Sequence, residues 1–390
     1  MTKKMTWKAA RVAALTAALT AAGLAHAQEP APTPEATPEA TPEATPLATP
    51  EATPAPAEKK KPEITTGATK LKVGGVLWTN YAYDLSESRE NVNSFDVGRA
   101  YLNLEPSWGD ALSARITPDL VRETAPALSG TAGTLTPGNT AGNLVLRVKY
   151  AFLAYRPVPG ATVRLGMLPT AYVGFEEDLW GYRFVAQTAA DAFYGMSSSD
   201  FGLSGEYALL DGRLEIASAV VNGEGYTRPE NGKYKEWQNR ATYQVLPADA
   251  GGLKVTGYYS IGGRARAEDK VRGVGLVSYE HDRFTAAALY LYAHDGGGAA
   301  GPRVVGGGPG AFASVKLPFV PALGLHAMAR VDVIDRDQET GDDGITRVIA
   351  GIGGRLHERV RFLVDLQRID HEDDGRDDSQ VLFTHLEARF

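Results

Sequence analysis

The chain has 390 residues, a formal net charge of −7 and no cysteine. The lack of cysteine excludes disulfide frameworks, cysteine-ligated zinc, iron–sulfur clusters and thiol nucleophiles. After the N-terminal region, no stretch approaches the roughly 18 uncharged apolar residues that a transmembrane helix needs. A membrane-spanning β-barrel is not excluded, because half the residues of its strands are polar.

The first 27 residues are organised like a secretory signal peptide. Four basic residues precede the apolar run VAALTAALTAAGLA: Lys3, Lys4, Lys8 and Arg11. The sequence Ala25-His26-Ala27 matches an A-x-A cleavage site, so we predict that the mature chain begins at Gln28. The alternative is a short amphipathic helix of the mature fold.

Residues 28–62 are rich in Thr, Pro, Glu and Ala, with Thr-Pro at every fourth residue from Thr33 to Pro54. Proline at this density blocks both helix and strand pairing and favours extended polyproline II. At about 3.1 Å per residue the segment can reach on the order of 110 Å. We interpret it as a disordered periplasmic linker; the alternative is a tether that contacts the cell wall.

From residue 70 onward the side chains alternate with period two, as in LKVGGVLWTNYAYD and NLVLRVKYAFLAY. We find about 16 such segments, most of them longer than the five to six residues that are typical of soluble strands. Their predicted ranges are 70–84, 94–106, 110–121, 143–156, 161–169, 200–210, 212–222, 235–246, 252–262, 270–281, 283–294, 309–318, 322–334, 344–356, 359–370 and 379–390.

The connections between these segments alternate in length. Odd-numbered connections are long, for example DRDQETGDDG and the stretch 170–199, whereas even-numbered ones are as short as SWG and LDG. Outer-membrane barrels have this alternation, because their outer loops are long and their periplasmic turns are short. We therefore predict an all-β fold for residues 63–390: a transmembrane antiparallel β-barrel of about 16 strands in the outer membrane of a Gram-negative bacterium.

In such a barrel the apolar stripe of each strand faces lipid, and only a closed sheet leaves no unpaired edge there. In the strand 143–156 we expect Leu146, Val148, Tyr150 and Phe152 on one face and Tyr155 on the other. Tyrosines near strand ends are predicted to form girdles at the two membrane interfaces. These are Tyr81, Tyr83, Tyr101, Tyr155, Tyr258, Tyr259, Tyr290 and Tyr292.

The opposite stripe is rich in charge and is predicted to line the pore. Its basic candidates are Lys72, Arg99, Arg115, Arg147, Lys149, Arg164, Arg240, Lys254, Arg272, Lys316, Arg330, Arg347 and Arg361. Its acidic candidates are Glu105, Asp119, Glu206, Glu215, Glu280, Asp332, Asp365 and Glu387. Rings of basic side chains around a pore select anions over cations. The alternative is that these charges pair across neighbouring strands and only keep the lumen hydrated.

The stretch 170–199 is too long and too aromatic for an exposed loop, so we predict that it folds into the barrel or packs on a neighbouring subunit. Folding inward would bring its polar and aromatic residues to a constriction. The candidates are Glu176, Glu177, Asp178, Trp180, Tyr182 and Arg183. The acidic connections DRDQETGDDG and HEDDGRDD are interpreted as solvated, without a metal site, since the first departs from a calcium loop at its glycine and twelfth positions.

Four blocks of the chain, FDVGRAYLNLEP, YAFLAYRP, VRLGMLPTAYVGFEEDLWGYRF and SSDFGLSGEY, together resemble the phosphate-selective porin O and P family. The match in order and spacing extends from about Phe95 to Tyr207, and the C-terminal half matches in strand pattern only. The resemblance implies a 16-stranded trimeric channel whose third outer loop folds inside. The stretch 170–199 has the family's arginine, as Arg183, but departs from the family in having no lysine and three acidic residues in its EED run.

The sequence thus predicts a porin for passive diffusion of small hydrophilic solutes or ions, with a lean toward anions or phosphate. The alternative is a structural barrel tethered to the cell wall by its Pro-rich arm. No motif links a histidine to a nucleophilic serine, so we predict no enzyme, and also no cofactor and no nucleic-acid partner. Expected partners are outer-membrane lipid and lipopolysaccharide, the barrel assembly machinery and two further copies in a homotrimer.

The chain ends VLFTHLEARF, a strand pattern with Phe390 as its last residue. We predict that this strand closes the barrel against the strand near Leu71. A terminal phenylalanine on such a strand resembles the signal that delivers outer-membrane barrels to the assembly machinery. Phe390 is therefore the candidate assembly signal.

Overall fold

The structure is a computed structural model that describes residues 63–66, 69–89, 91–122, 143–230, 232–246, 251–264, 268–296 and 303–390. The predicted signal peptide and linker, and most of the long connection that follows the third predicted strand, lie outside the described residues. The helices that the structure describes fall short of the length and apolar character that crossing a membrane requires.

The described residues form one antiparallel sheet that closes on itself. Sixteen strands make the wall, and a short additional strand, β1, precedes them. The predicted 16-stranded barrel is therefore confirmed. The strands are β1 Glu63–Thr66, β2 Thr69–Asp84, β3 Asn93–Trp108, β4 Leu112–Arg122, β5 Leu144–Tyr155, β6 Ala161–Pro169, β7 Ser199–Leu209, β8 Leu214–Val221, β9 Glu236–Gln244, β10 Leu253–Arg264, β11 Glu268–Glu280, β12 Phe284–Asp295, β13 Val304–Lys316, β14 His326–Ile334, β15 Ile345–His357, β16 Val360–His371 and β17 Ser379–Arg389.

The barrel closes where β17 pairs with β2, from Val381 opposite Asp84 to Arg389 opposite Val76. The last residue continues this pairing: Phe390 N–H donates to the Gly75 carbonyl at 3.0 Å, and Gly75 N–H donates to the Phe390 carbonyl at 2.7 Å. A Cβ on Gly75 would lie 2.2 Å from Phe390 Cζ, so a glycine at 75 is what admits the ring. Beyond this point β1 pairs with the first four residues of β2.

The connections alternate as predicted, which gives the barrel a short-turn end and a long-loop end. Two of them differ from the expected length. The short connection between β13 and β14 spans 317–325, because a single 3-10 turn at Pro321–Leu323 replaces the start of the predicted strand. The long connection between β10 and β11 is shorter than predicted, because β10 extends to Arg264 and β11 begins at Glu268.

The predicted start of β13 at residue 309 is wrong, because the strand already begins at Val304. Its glycines allow close approach to both neighbouring strands. A Cβ on Gly308 would lie 1.9 Å from the Val333 carbonyl oxygen. Glycine here is therefore part of the ladder, although a glycine run in sequence is typical of a loop.

A β-bulge between Thr117 and Pro118 reverses the faces of β5 halfway along the strand. Leu146 and Val148 are exposed on the outside, but beyond the bulge it is Leu153 and Tyr155 that are exposed. The predicted faces of Tyr150, Phe152 and Tyr155 are therefore wrong. Proline lacks the N–H that an unbroken ladder needs, which places the irregularity at this position.

Two of the eight predicted girdle tyrosines point into the barrel. The Tyr101 hydroxyl accepts a hydrogen bond from Arg99 Nη1 at 2.8 Å, and the Tyr258 ring lies 5.0 Å from the Tyr172 ring. A second bulge, between Trp78 and Thr79 in the β2–β3 pairing, shifts the faces of β3 in the same way. The remaining girdle candidates include Tyr259 and Tyr290, about half-exposed on the outer surface.

Candidate functional site

Residues 170–198, here called the inward segment, connect β6 to β7 and occupy part of the barrel lumen. The segment contains two helices, α1 Val173–Trp180 and α2 Ala189–Phe193. Gly181 ends α1 with φ 72°, and its N–H donates to the Glu177 carbonyl at 2.9 Å, a left-handed cap that favours glycine. The apolar residues of the segment join the buried cluster that side chains of β10–β16 form inside the barrel.

The centre of this contact is Arg330 on β14, whose side chain has no exposed surface. Its Nη2 donates to Glu176 Oε1 at 2.8 Å, and its Nε donates to Asp332 Oδ2 at 2.9 Å. The guanidinium also lies 5.3 Å from the Trp180 ring and 5.3 Å from the Phe312 ring. A buried charge needs opposite charges in contact, so this cluster fixes α1 against the wall, although Arg330 Nη1 and Glu176 Oε2 have no hydrogen-bond partner in it.

Further wall side chains hold the backbone of the inward segment. Arg240 Nε donates to the Ala171 carbonyl at 2.9 Å, and Arg272 Nε donates to the Tyr194 carbonyl at 2.9 Å. Arg361 Nη1 donates to the Gly181 carbonyl at 3.3 Å. These bonds satisfy loop carbonyls that burial would otherwise leave unpaired.

Aromatic contacts complete the attachment along the same half of the barrel. The closest ring pairs join Tyr172 to Tyr258 at 5.0 Å, Trp180 to Phe312 at 5.1 Å, Tyr182 to His326 at 5.4 Å and Phe184 to His385 at 6.2 Å. The Arg347 guanidinium lies 5.0 Å from the Phe193 ring. The inward segment therefore covers strands β9–β17.

Of the thirteen basic candidates, Lys254 and Lys316 lie at the short-turn ends of β10 and β13. Five others are placed under the inward segment: Arg240, Arg272, Arg330, Arg347 and Arg361. Each also has a carboxylate partner across or along the wall, such as Asp332 for Arg347 at 2.6 Å and Asp295 for Arg272 at 2.9 Å. The charge pairing that the sequence left as an alternative is thus present on this side. These arginines hold the segment and contribute little open charge.

The other candidates lie on β2–β6, on the part of the wall that the inward segment leaves uncovered. The side chains of Arg115 and Arg147 are 31% and 30% exposed, against 0% for Arg330. Lys72 is exposed near the short-turn end, opposite Glu105 in the register. We call the lumenal side chains Arg99, Arg115, Arg147, Lys149 and Arg164 the basic wall.

Partners of the basic wall are partly acidic and partly neutral. Asp119 accepts from Arg147 Nε at 2.9 Å and lies 3.6 Å from Arg99 Nε, and Glu206 pairs with Arg164 at 2.9 Å. Arg115 lies 3.9 Å from Glu105 and also donates to Asn103 Oδ1 at 2.9 Å and to Thr117 Oγ1 at 3.0 Å. Lys149 Nζ donates to the Tyr101 hydroxyl at 3.3 Å. The five basic side chains of the wall therefore outnumber its three carboxylate partners, and the wall keeps net positive charge.

The six constriction candidates divide between the two faces of the inward segment. Glu176, Trp180 and Tyr182 are buried against β13, β14 and neighbouring strands, so the prediction that they border the opening is wrong. Glu177, Asp178 and Arg183 lie on the opposite edge, where Arg183 bonds to Glu177 and is 5.7 Å from the Trp78 ring. The Asp178 carboxylate lies within electrostatic reach of Arg115 and Lys149.

Sequence reasoning missed Tyr226, which lies between β8 and β9 and enters the lumen. Its hydroxyl accepts from Arg147 Nη2 at 2.8 Å, and its ring lies 4.9 Å from that guanidinium. Asp200 positions this loop, since its Oδ2 accepts from the N–H groups of Gly223 at 2.8 Å and Gly225 at 3.2 Å. A Tyr in a Gly-rich loop carries no periodic signal, so only the fold reveals it.

The acidic connection between β14 and β15 also differs from the solvated loop that we expected. Its Asp337 and Asp343 line a cavity of about 340 Å³ together with Phe193 and Tyr194 of the inward segment. Burial, with the nearby charges of Asp335 and Asp337, raises the pKa of Asp343 to about 6. Within the described ranges, no three His, Cys, Asp or Glu side chains are arranged to hold a metal ion.

The fold is similar to that of solved outer-membrane porins. An anion-selective porin from Comamonas acidovorans matches with TM-score 0.60 and 11% identity, over 83% of this chain and all of that one. OmpF of Salmonella typhi, in complex with daunomycin, matches with TM-score 0.60 and 12% identity, over 84% of this chain and all of that one. The trimer form of in-vitro folded OmpT, an outer membrane protein of Vibrio cholerae, matches with TM-score 0.56 and 10% identity, over 83% of this chain and all of that one.

No family model matches the chain, and no curated protein matches it. At these identities the solved structures establish the architecture alone. The expected resemblance to the phosphate-selective porins O and P is therefore supported only at the level of a porin-type barrel.

Proposed function

We propose that this protein is an outer-membrane porin through which small hydrophilic solutes and ions diffuse passively. The observation that carries the proposal is the asymmetry of the lumen. The inward segment covers the side chains of β9–β17 and leaves part of the basic wall of β2–β6 open to the lumen, with Arg115 31% and Arg147 30% exposed. A packed segment beside a hydrated, charged wall is the arrangement that narrows a pore without closing it.

The outer surface supports a membrane location. On the outside of the barrel, Leu146 near the long-loop end of β5 is 72% exposed, and Leu165 in the middle of β6 is 62% exposed. Exposed apolar stripes of this kind are costly in water and favourable in hydrocarbon. The alternation of long loops and short turns assigns the short-turn end to the periplasm of a Gram-negative bacterium.

A planar bilayer recording of the purified full-length mature protein tests the proposal directly. We expect discrete conductance steps in potassium chloride, with reversal potentials under a salt gradient that report the ion preference. A correctly folded protein that never opens conducting steps would overturn the porin assignment.

We further propose that the pore prefers anions modestly and is not specific for phosphate. The partly exposed side chains of Arg115 and Arg147 supply positive charge at the opening, which supports the anion preference. However, Asp119 and Glu206 neutralise their neighbours on the wall, and Glu177 and Asp178 face the wall from the inward segment. Specific binding of a multiply charged anion such as phosphate needs many unpaired hydrogen-bond donors close together. The mixed acidic and basic side chains of this lumen do not form such a cluster.

Reversing two charges on the basic wall should reverse the ion preference. In Arg115→Glu/Arg147→Glu, the exposed positive side chains become negative, while Asp119 is left without its closest partner. We expect the reversal potential under a chloride gradient to change sign toward cations, because long, partly exposed charges dominate the field in a narrow opening.

The matched control for this experiment is Arg156→Glu, the same charge change in the short turn between β5 and β6. Arg156 is exposed and outside the opening. It should leave the reversal potential close to that of the parent protein. An equal shift in both variants would show that net charge, and not the basic wall, sets the preference.

The proposed assembly is a homotrimer, in line with the trimer form of OmpT, one of the structural neighbours. The half-exposed tyrosines at strand ends and the apolar stripe would contact outer-membrane lipid and lipopolysaccharide. We also propose that the barrel assembly machinery delivers the protein to the membrane and recognises Phe390.

A second candidate function is that of an outer-membrane anchor linked to the cell wall through residues 28–62. The observation in its favour is that β1, directly after this segment, pairs with β2 at the short-turn end. The chain therefore leaves the barrel on the side assigned to the periplasm.

Deleting residues 28–62 separates the two functions. Because the arm precedes the barrel, we expect unchanged single-channel conductance and unchanged uptake of small solutes in cells. Envelope sensitivity to detergent with normal permeability would favour the anchor, and normal envelope integrity would favour a simple spacer. A variant with the same segment replaced by a Gly/Ser linker of equal length controls for spacing.

A further inference from the structure

The basic wall is interleaved with aromatic rings from one end of the lumen to the other. The pairs, here called the cation–aromatic track, are Arg147 with Tyr226 at 4.9 Å, Arg99 with Tyr101 at 5.7 Å, Lys149 with Tyr101 at 5.1 Å and with Tyr150 at 5.5 Å, Arg115 with Tyr150 at 4.7 Å, and Arg164 with Phe152 at 5.9 Å.

The track follows the strands from the long-loop end to the short-turn end. Tyr226 and Arg147 lie at the long-loop end, Tyr101 and Lys149 near the middle, and Phe152 and Arg164 toward the short-turn end. The rings also contact one another, with Trp78 5.4 Å from Tyr101 and Tyr150 6.3 Å from Phe152. Aromatic rings and positive charges therefore alternate along this side of the lumen.

Rings add nothing to the binding of a small hydrated inorganic anion, which needs only donors and positive charge. They add binding surface for a solute that carries an apolar body next to its negative group. Aromatic solute rings gain most, because edge-to-face and offset contacts between rings are favourable beyond simple burial.

The side of the lumen opposite the track limits the charge of the solute. Glu177, Asp178 and Asp191 belong to the inward segment and lie within electrostatic reach of Lys149. Arg183 offsets part of this charge through its bonds to Glu177 and, at 3.5 Å, to Asp191, and Arg389 lies within electrostatic reach of Asp178. A dianion between the two sides is repelled by this acidic edge, whereas a monoanion can turn its uncharged body toward it.

We propose that the cation–aromatic track binds aromatic monocarboxylates in transit, with the carboxylate on Arg115 or Arg147 and the ring against Tyr101, Tyr150 or Tyr226. The inference rests on the proposed diffusion pore and narrows its solute class. Arg115 and Arg147 are the donors to the carboxylate because their side chains are 31% and 30% exposed. Lys149 is 4% exposed and forms no ion pair within the part of the chain that the structure describes, so it adds nearby positive charge without contacting the solute.

The test is block of the chloride current through the full-length mature protein in a planar bilayer. The probes are benzoate, cyclohexanecarboxylate, acetate and inorganic phosphate, so that charge, size and aromaticity are varied separately. We expect benzoate to halve the chloride current at a concentration roughly three- to tenfold lower than cyclohexanecarboxylate does. Acetate and phosphate should require still more.

Variants of the rings test the assignment of the site. Tyr150→Leu should keep the chloride conductance and remove the difference between benzoate and cyclohexanecarboxylate. Tyr226→Leu lies in a loop and provides a second variant that does not depend on barrel packing. Tyr259→Leu changes the same residue type on the outer surface and should behave like the parent protein.

The outcomes separate the inference from the function on which it rests. Equal block by benzoate and cyclohexanecarboxylate in an open channel, or stronger block by phosphate, would overturn the aromatic carboxylate and leave the pore intact. A difference that survives both Tyr150→Leu and Tyr226→Leu would overturn the location. Failure of the parent protein to conduct at all would instead overturn the proposed pore.

Discussion

Replacing Arg330 by methionine should release the inward segment and widen the pore. Arg330 is the only side chain in the described part of the chain that binds both Glu176 on α1 and Asp332 on the wall. Removing one partner from a buried ionic cluster typically costs about 3–5 kcal/mol, because an uncompensated charge remains. In this variant Asp332 still has Arg347 as an ionic partner at 2.6 Å, so Glu176 is the carboxylate that is left without one.

A buried carboxylate without a partner is relieved by moving to water, and for Glu176 that means moving α1 away from the wall. We expect a single-channel conductance roughly twofold higher or more in Arg330→Met, with increased current noise, since the channel cross-section sets the flow. The barrel itself should persist, because its closed ladder of backbone hydrogen bonds does not involve Arg330 side-chain contacts.

Glu176→Leu in the Arg330→Met background is the decisive companion variant. It removes the stranded charge and offers an apolar surface to Trp180 and Phe312, and buried ion pairs replaced by apolar residues are often tolerated. The double variant should return the conductance toward the parent value, while Glu176→Gln alone should have a small effect. Parent-like conductance and thermal stability in Arg330→Met would contradict the role that we assign to the cluster.

The barrel was predictable because its signals are local and repeated. Period-two alternation and the order of long and short connections hold along the whole of 70–390, and a single misread residue does not change the count. The structure departs from the predicted strands where local chemistry is ambiguous, as at Gly308, which belongs to β13 and not to a loop. Glycine-rich sequence is compatible with both a turn and a close strand approach, so only pairing decides.

The faces of individual strands were less predictable, because one bulge changes the orientation of every residue beyond it. Pro118 marks such a position, yet its effect appears on the neighbouring strand, at Lys149 and Tyr150. The consequence is functional: the bulge moves Tyr150 and Phe152 from the lipid face to the lumen, where they stand beside Arg115 and Arg164.

The site was predictable in residue type but not in arrangement. Alternation placed the arginines on the inner face, but it could not tell Arg115, which is partly exposed, from Arg330, which is fully covered. That difference depends on which half of the barrel the inward segment contacts, a property of long-range packing. Tyr226 is a further example, because Asp200 positions its loop from a distant part of the sequence.

Removing the side chain of Phe390 should impair assembly of the barrel without changing the channels that do assemble. The ring is 56% exposed, so Phe390→Ala loses on the order of 1 kcal/mol of apolar burial at the seam. The backbone bonds between residue 390 and Gly75 remain available. A stable barrel of sixteen strands tolerates such a loss, so a strong defect would point to recognition of the terminal ring before folding.

We therefore expect the amount of folded protein in the outer membrane to fall several-fold in Phe390→Ala, with parent conductance in bilayers because the ring lies outside the lumen. Leu386→Ala, on the same outer stripe of β17 and 40% exposed, is the matched control and should assemble normally. Gly75→Ala displaces the ring from its seat but leaves it on the chain, since the new Cβ would lie 2.2 Å from Phe390 Cζ. If Gly75→Ala assembles like the parent protein, the ring acts as a signal; if it fails as Phe390→Ala does, the ring acts by sealing the seam, and the assignment of an assembly signal is wrong.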